Sequence, residues 1–135
     1  MNSRDALRLE GTVFETLGIR VVEAAPERVV VEIDVGPPVH QPMGLLHGGV
    51  SALLAESAAS IGSLMNLNPE THAGVGVELN ISHLRARRDG VVRATAVPAR
   101  LGRGLHVWTV EISDENESPV AVARCTVAVR PVPES

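Results

Sequence analysis

One carboxylate stands alone in the middle of this chain. Between Asp34 and Glu70 the only formally charged side chain at neutral pH is Glu56, set among Leu53, Leu54, Ala55, Ala58 and Ala59. A carboxylate in an apolar stretch is costly unless it is paired, protonated or useful. The useful forms are a general base and a nucleophile. The plainer alternatives are that Glu56 faces solvent, or meets an arginine from a later segment or another subunit. Ser60 follows four residues on, hence on the same face of a helix. It could hold a water or orient the carboxylate, or bond its own backbone as helical serines commonly do. Upstream runs His40-Gln41-Pro42-Met43-Gly44-Leu45-Leu46-His47-Gly48-Gly49. Gly48 and Gly49 would open a helix where free N–H groups and the positive end of the dipole point outward. A carbonyl placed there would have its developing negative charge stabilised, and glycine lets a ligand approach the backbone closely. A glycine pair is equally simple helix punctuation. His47 could position the loop or donate to a substrate, or be structural; Gln41 could donate and accept beside it, or be an exposed loop residue.

These residues need a helix to carry them and a sheet to hold the helix. From Gly48 to Met65 the composition turns to Ala, Leu, Ser and Gly with few β-branched residues, which predicts one helix about 27 Å long. It is apolar on nearly all sides, so it should be wrapped by other elements. Before it, Asp5 can cap a short amphipathic helix with apolar positions Leu7, Val13, Phe14 and Leu17, ended by Gly18. Two β-rich runs follow, Ile19 to Ala24 and Arg28 to Val35. After the long helix come four more: Ala73 to Arg87, Val91 to Leu101, Leu105 to Ser113 and Val120 to Arg130. Turn formers separate them at Asp89-Gly90, Gly102-Arg103-Gly104 and Asp114 to Ser118. In the first of the four, apolar residues occupy odd positions through Ile81 and then Leu84 and Ala86, a change of phase that predicts a bulge near Ser82-His83. The order α-β-β-α-β-β-β-β, without a parallel βαβ repeat, is most economically one antiparallel sheet curled around one buried helix, an α+β architecture.

Composition narrows the function. The 135 residues suit one domain spanning 1–135, and 44% of them are hydrophobic, so neither a disordered tail nor a membrane span is expected. The aromatic residues are Phe14 and Trp108 alone, so the core must be built of Val, Leu, Ile and Ala. Cys125 lies in the alternation Ala121, Ala123, Cys125, Val127, Val129, the place of a buried strand residue, and a single cysteine excludes an internal disulfide. The charged N-terminal stretch lacks the apolar core of a signal peptide, so a cytoplasmic location is expected. A net charge of −4 argues against general nucleic-acid binding. All twelve basic residues are arginine, and Arg85, Arg87, Arg88, Arg93, Arg100 and Arg103 cluster after a long gap. Such a rim suits a small phosphorylated ligand, or defends an exposed sheet edge. Five scattered histidines and a remote cysteine give no zinc pattern; no phosphate-binding glycine loop or Gly-x-Ser-x-Gly elbow is present.

The stretch Gln41 to Gly49, followed by Ala55-Glu56-Ser57, resembles the hotdog-fold acyl-CoA thioesterases. The nearest branch holds 4-hydroxybenzoyl-CoA thioesterase, 1,4-dihydroxy-2-naphthoyl-CoA thioesterase and the enterobactin-pathway proofreading thioesterase. The likeness continues through Gly76-Val77-Glu78-Leu79-Asn80, His83-Leu84-Arg85, Leu101-Gly102-Arg103 and Val107-Trp108. It implies a curled antiparallel sheet around a long central helix. It implies Glu56 as catalytic carboxylate, Gly48 as the N–H that polarises the thioester carbonyl, Gln41 and His47 as residues that orient the thioester, and Ser60 as an aid to the hydrolytic water. It implies a site formed between two subunits, Gln41, His47 and Gly48 from one and Glu56 and Ser60 from the other, in a dimer commonly paired into a tetramer. The coenzyme A arm would run over Gly76, His83, Leu84, Arg85, Ala86 and the turn Gly102, Arg103, Gly104, with Arg85 and Arg103 on phosphates. Met43, Leu53 and Leu64 would line an acyl pocket for an aromatic or bulky group. No metal or cofactor is implied beyond the coenzyme A of the substrate, and no nucleic-acid or membrane partner. The phenylacetyl-CoA branch generally carries Asp where Glu56 stands. The competing readings are a carrier-protein thioesterase, a non-catalytic acyl-CoA binder and a hydratase; the complete Gln-His-Gly-Glu set favours thioester hydrolysis.

Overall fold

The strand-like runs become one sheet and the small-residue run becomes the helix it curls around. The computed structural model describes residues 2–3 and 5–133. In chain order the elements are α1 (Val13–Leu17), β1 (Arg20–Ala25), β2 (Arg28–Asp34), a 3-10 turn (Pro37–Val39), α2 (Gly48–Met65), β3 (His72–His83), β4 (Val91–Leu101), β5 (Leu105–Asp114) and β6 (Pro119–Pro131). The six strands pair in the order β1-β2-β4-β5-β6-β3, every pair antiparallel. This is the hotdog fold. One face of the sheet supplies Val29, Val31, Ile33, Val92, Val110 and Ile112 to the core, against Leu54, Ala55, Ala58, Ala59 and Ile61 of α2. Aliphatic and alanine side chains fill this core, as the near-absence of aromatics required.

The exception is Trp108, fully buried in β5. Its ring lies where a side chain at Gly62 would be: a Cβ there would stand 2.4 Å from Trp108 Cη2. Ser63, the next residue, accepts the indole N–H at 2.9 Å and bonds His106 Nδ1 at 2.8 Å. All three polar groups of this network are buried, and burial pushes the His106 imidazole below its usual range. Gly62→Ala should therefore destabilise the protein by about 2 kcal/mol, overpacking outweighing the gain in helix propensity. A denaturant titration checks this: a lowered midpoint is expected, an unchanged or raised one contradicts it.

Four differences from the sequence reading have physical causes. The first helix does not start at Asp5: Thr12 caps it, its hydroxyl accepting from Phe14 N–H at 3.2 Å, because Gly11 just before it takes a positive φ of 75°. Asp5 instead sits in a turn, its N–H donating to Asn2 Oδ1. β3 ends at His83, and beyond it Leu84 and Arg85 both donate their N–H to Val120 O. The bulge lies at Val77, where pairing shifts from Gly76↔Val127 to Glu78↔Thr126, and not at Ser82-His83. Finally, α2 is not wrapped on all sides: Gly49 and Glu56 are exposed, and Ala52, Leu53, Ser57, Ser60 and Leu64 are half-buried. Among the described residues no helix is long and apolar enough to cross a membrane.

Candidate active site

The loop before α2 is built to present the head of the helix. His40 and Leu46 form an isolated antiparallel bridge, and Gln41 N–H donates to Leu45 O at 2.7 Å. The Gln41 side-chain oxygen accepts from the N–H groups of Met43 and Leu45. Its carbonyl side is thus spent on its own loop, and its NH2 remains to donate outward. Met43 stands at the tip, 75% exposed, and lines none of the three cavities described below. The loop hangs from the segment after β3: Leu46 N–H donates to Arg87 O at 2.7 Å, and His40 Nε2 lies 2.8 Å from Arg88 O.

The first four N–H groups of a helix lack intrahelical partners, and here three of the four are satisfied. The N-cap His47 N–H donates to Val39 O at 2.9 Å, Gly49 N–H to His47 Nδ1 at 2.8 Å and Val50 N–H to His47 O at 3.0 Å. Gly48 N–H has no acceptor among the described residues. Because His47 Nδ1 accepts, the neutral ring carries its proton on Nε2 and can donate there. A Cβ at position 48 would stand 2.9 Å from His83 Nε2, the tip of an exposed side chain that would have to shift.

Glu56 projects from the uncovered face of α2. It is exposed, and its carboxylate accepts no hydrogen bond and makes no ion pair among the described residues. With Ser60, Ser57 and Gly49 it lines a cavity of about 740 Å³ whose apolar walls include Leu53, Leu64, Leu7, Leu9 and Phe14. Leu9 and His72 in this wall were not singled out from sequence; Leu7 and Phe14 were, only as helix positions, and Ser57 only as part of the Ala55-Glu56-Ser57 motif. Gln41, Gly48, His83, Leu84, Arg85 and Ala86 line a different cavity of about 380 Å³. The expected site is thus divided in two. Glu56 lies eight residues from Gly48, about 12 Å along the axis, more than one glutamate side chain spans.

Two expected groupings differ. Gly76 does not join His83 to Ala86; it lies against the Glu56 carboxylate, a Cβ there falling 2.9 Å from Glu56 Cδ. Gly102 and Arg103 line a third cavity with His72 and His106, and Gly104 faces open space. Arg87 leaves the cationic rim: its guanidinium bonds Asp114 at 3.3 Å, Glu115 at 2.7 Å and Asp89 O at 3.2 Å. Its Nε is buried without a partner among the described residues. The Asp114 side chain is 1% exposed. The N–H of Ser118 and of Asn116 and the charge of Arg87 hold its carboxyl below the usual range. A carboxyl so lowered adds stability that is present above the ordinary aspartate pKa of about 3.9 and lost as pH falls through the lowered value. Asp114→Asn should lower stability at neutral pH and flatten its decline below about pH 4. Melting temperature against pH tests this; parallel curves for the two proteins contradict it. Cys125 is buried in β6 as expected, and burial with the nearby Glu56 and Glu78 charges pushes its thiol up to about 11, so it stays protonated.

Known proteins with this architecture identify the class as thioester hydrolases. A crystal structure of a mutant thioesterase from Pseudomonas aeruginosa superposes with a TM-score of 0.89 at 36% identity, covering 96% of this chain and 92% of that one. The 1,4-dihydroxy-2-naphthoyl-CoA hydrolase of Listeria monocytogenes is 43% identical over 116 residues, 86% of this chain and 94% of its own. The Escherichia coli protein of the same name is 36% identical over 120 residues, 89% and 88% of the two chains. Residues 43–121 match the thioesterase superfamily model. The chain belongs to the thioesterase superfamily.

Proposed function

We propose that this thioesterase hydrolyses an acyl-CoA to the free acid and coenzyme A, with the whole chain acting as one hotdog unit of a dimer. The observation that carries the reading is the unsatisfied Gly48 N–H at the positive end of α2, on a helix whose open face bears the unpaired Glu56. The thioester oxygen accepts from Gly48 N–H as it becomes an oxyanion. His47 Nε2–H and the Gln41 NH2 are the further donors that orient the thioester. Glu56 acts in one of two ways. Its oxygen attacks the carbonyl carbon, the C–S bond breaks with release of the thiolate, and water cleaves the resulting anhydride. Alternatively it takes a proton from water, whose oxygen attacks directly. Ser60, on the Glu56 face, holds that water. Neither route needs a cofactor.

The 12 Å between Gly48 and Glu56 on one helix supports a site completed by a second copy, one supplying Gln41, His47 and Gly48, the other Glu56 and Ser60. The open face of α2 and the free edge of β3, where Val75 and Val77 are 53% and 56% exposed, favour such a partner; pairing of dimers gives a tetramer. Burial at that interface would supply the dry surroundings that Glu56 lacks in one chain. The guanidinium groups of Arg85 and Arg103, which form no ion pair among the described residues, are the phosphate contacts. The apolar cavity beside Glu56, with Phe14, Leu53 and Leu64, suits an aromatic or bulky acyl group, as does the name of the Listeria relative. We place the protein in the cytoplasm, where acyl-CoA is made.

The test is thiol release from aromatic and aliphatic acyl-CoAs and from carrier-protein thioesters by wild type and Glu56→Gln. Turnover of an aromatic acyl-CoA that fails in the variant upholds the reading; turnover of carrier-protein thioesters alone replaces its substrate.

A further inference from the structure

We infer that Gly76 is a positioning residue for hydrolysis: its missing side chain leaves the room in which the Glu56 carboxylate lies against β3. This rests on Glu56 being the catalytic carboxylate. Nothing polar among the described residues holds that group, yet a reacting carboxylate must be aimed. What bounds it on one side is backbone. A Cβ at position 76 would meet Glu56 Cδ at 2.9 Å, Oε1 at 3.1 Å and Cγ at 3.2 Å, so the outer part of the side chain lies along the glycine.

The bulge at Val77 makes this contact. Before it, Gly74 and Gly76 face α2 while Val75 and Val77 face outward; after it, Leu79 and Ile81 face the core. A strand of constant phase could not do both. Keeping the phase of Gly76 would turn Glu78 and Asn80 toward the core, and keeping that of Leu79 would set Val77 against Glu56. The extra residue switches the phase between the two, so a glycine meets the acid and large aliphatic side chains fill the space beyond it.

Gly74 is the contrast. Its added Cβ would meet Val127 Cγ1 at 2.9 Å and Ser63 Cβ at 3.2 Å, atoms fixed in the packed core. At Gly76 the obstructing atoms end a flexible side chain, which moves aside at little cost to folding. Neither glycine has a positive φ, so alanine is permitted by the backbone at both and only space separates them.

The experiment measures kcat and KM for benzoyl-CoA hydrolysis, or for the aromatic acyl-CoA turned over fastest, with melting temperatures. The proteins are wild type, Gly74→Ala, Gly76→Ala, Glu56→Gln and Gly76→Ala/Glu56→Gln. Gly74→Ala should lose melting temperature. Gly76→Ala should keep it and lose about tenfold to a hundredfold in kcat with KM little changed. The double variant should be no slower than Glu56→Gln within about twofold, because a displaced carboxylate matters only where there is one. A crystal structure of Gly76→Ala should show the carboxylate moved off the strand. A raised KM with intact kcat would make Gly76 a substrate contact instead, and additive losses or an unmoved carboxylate overturn the inference as well. If Glu56→Gln retains full activity, the reading of the site itself fails; if only Gly76→Ala is unaffected, this inference alone does.

Discussion

Glu56→Gln is expected to lower kcat at least about a hundredfold, a loss of about 2.7 kcal/mol in transition-state stabilisation, with KM and melting temperature nearly unchanged. Glutamine keeps the length and shape of the side chain but can neither take a proton from water nor attack a carbonyl. Folding should not notice, since the carboxylate makes no hydrogen bond or ion pair among the described residues and stands on an open helix face. That separation gives the experiment its force. A loss of activity with a loss of melting temperature would point to a structural role instead. Full activity in glutamine form would remove Glu56 from the chemistry altogether, leaving the Gly48 N–H as an oxyanion donor in search of another base.

What the sequence disclosed depended on whether the physical signal resides in side chains. The limits of α2 were legible to the residue because a run of small residues opened by two glycines and with few β-branched residues has few other readings. β4 was legible for a similar reason, flanked by Asp89-Gly90 and Gly102. The bulge was misplaced because glycines are silent in a hydrophobic pattern. Val75 and Val77 in phase with Leu79 and Ile81 read as one inward face, whereas the inward positions before the bulge are held by Gly74 and Gly76. The capping of α1 escaped for the converse reason, since Leu7 continues the apolar spacing across a glycine whose positive φ ends any helix.

The candidate site was legible as a set of residues and less so as an arrangement. Composition marks α2 as apolar all round but cannot say which side the sheet leaves bare. Charge counting placed Arg87 with Arg85 and Arg103, yet Asp114 and Glu115, far along the chain, take it out of any ligand's reach and use it to hold the segment from which the His40–Leu46 loop hangs. Pairings of that kind are tertiary, and nothing local announces them.

Two inactive variants should restore each other. Gly48→Pro removes the N–H proposed to polarise the carbonyl, at a helix position that tolerates proline. The extended His47 backbone, with φ −66° and ψ 130°, already suits a residue before proline. Glu56→Gln removes the carboxylate. If each site takes Gly48 from one copy and Glu56 from the other, a mixed dimer contains one site with both defects and one with neither. Statistical reassortment in equal amounts makes half the dimers mixed, each with half its sites intact, so activity should return to about a quarter of wild type in a two-fold dimer. Mixing folded proteins that do not exchange subunits should give nothing, so reassortment after partial denaturation, or co-expression with two tags, is the appropriate preparation. Recovery in the doubly tagged fraction alone assigns the two halves to different chains. No recovery there, with mixed dimers isolated and folded, would mean that Gly48 and Glu56 do not serve one thioester across the interface. The 12 Å between them on one helix would then have to be closed within a single chain.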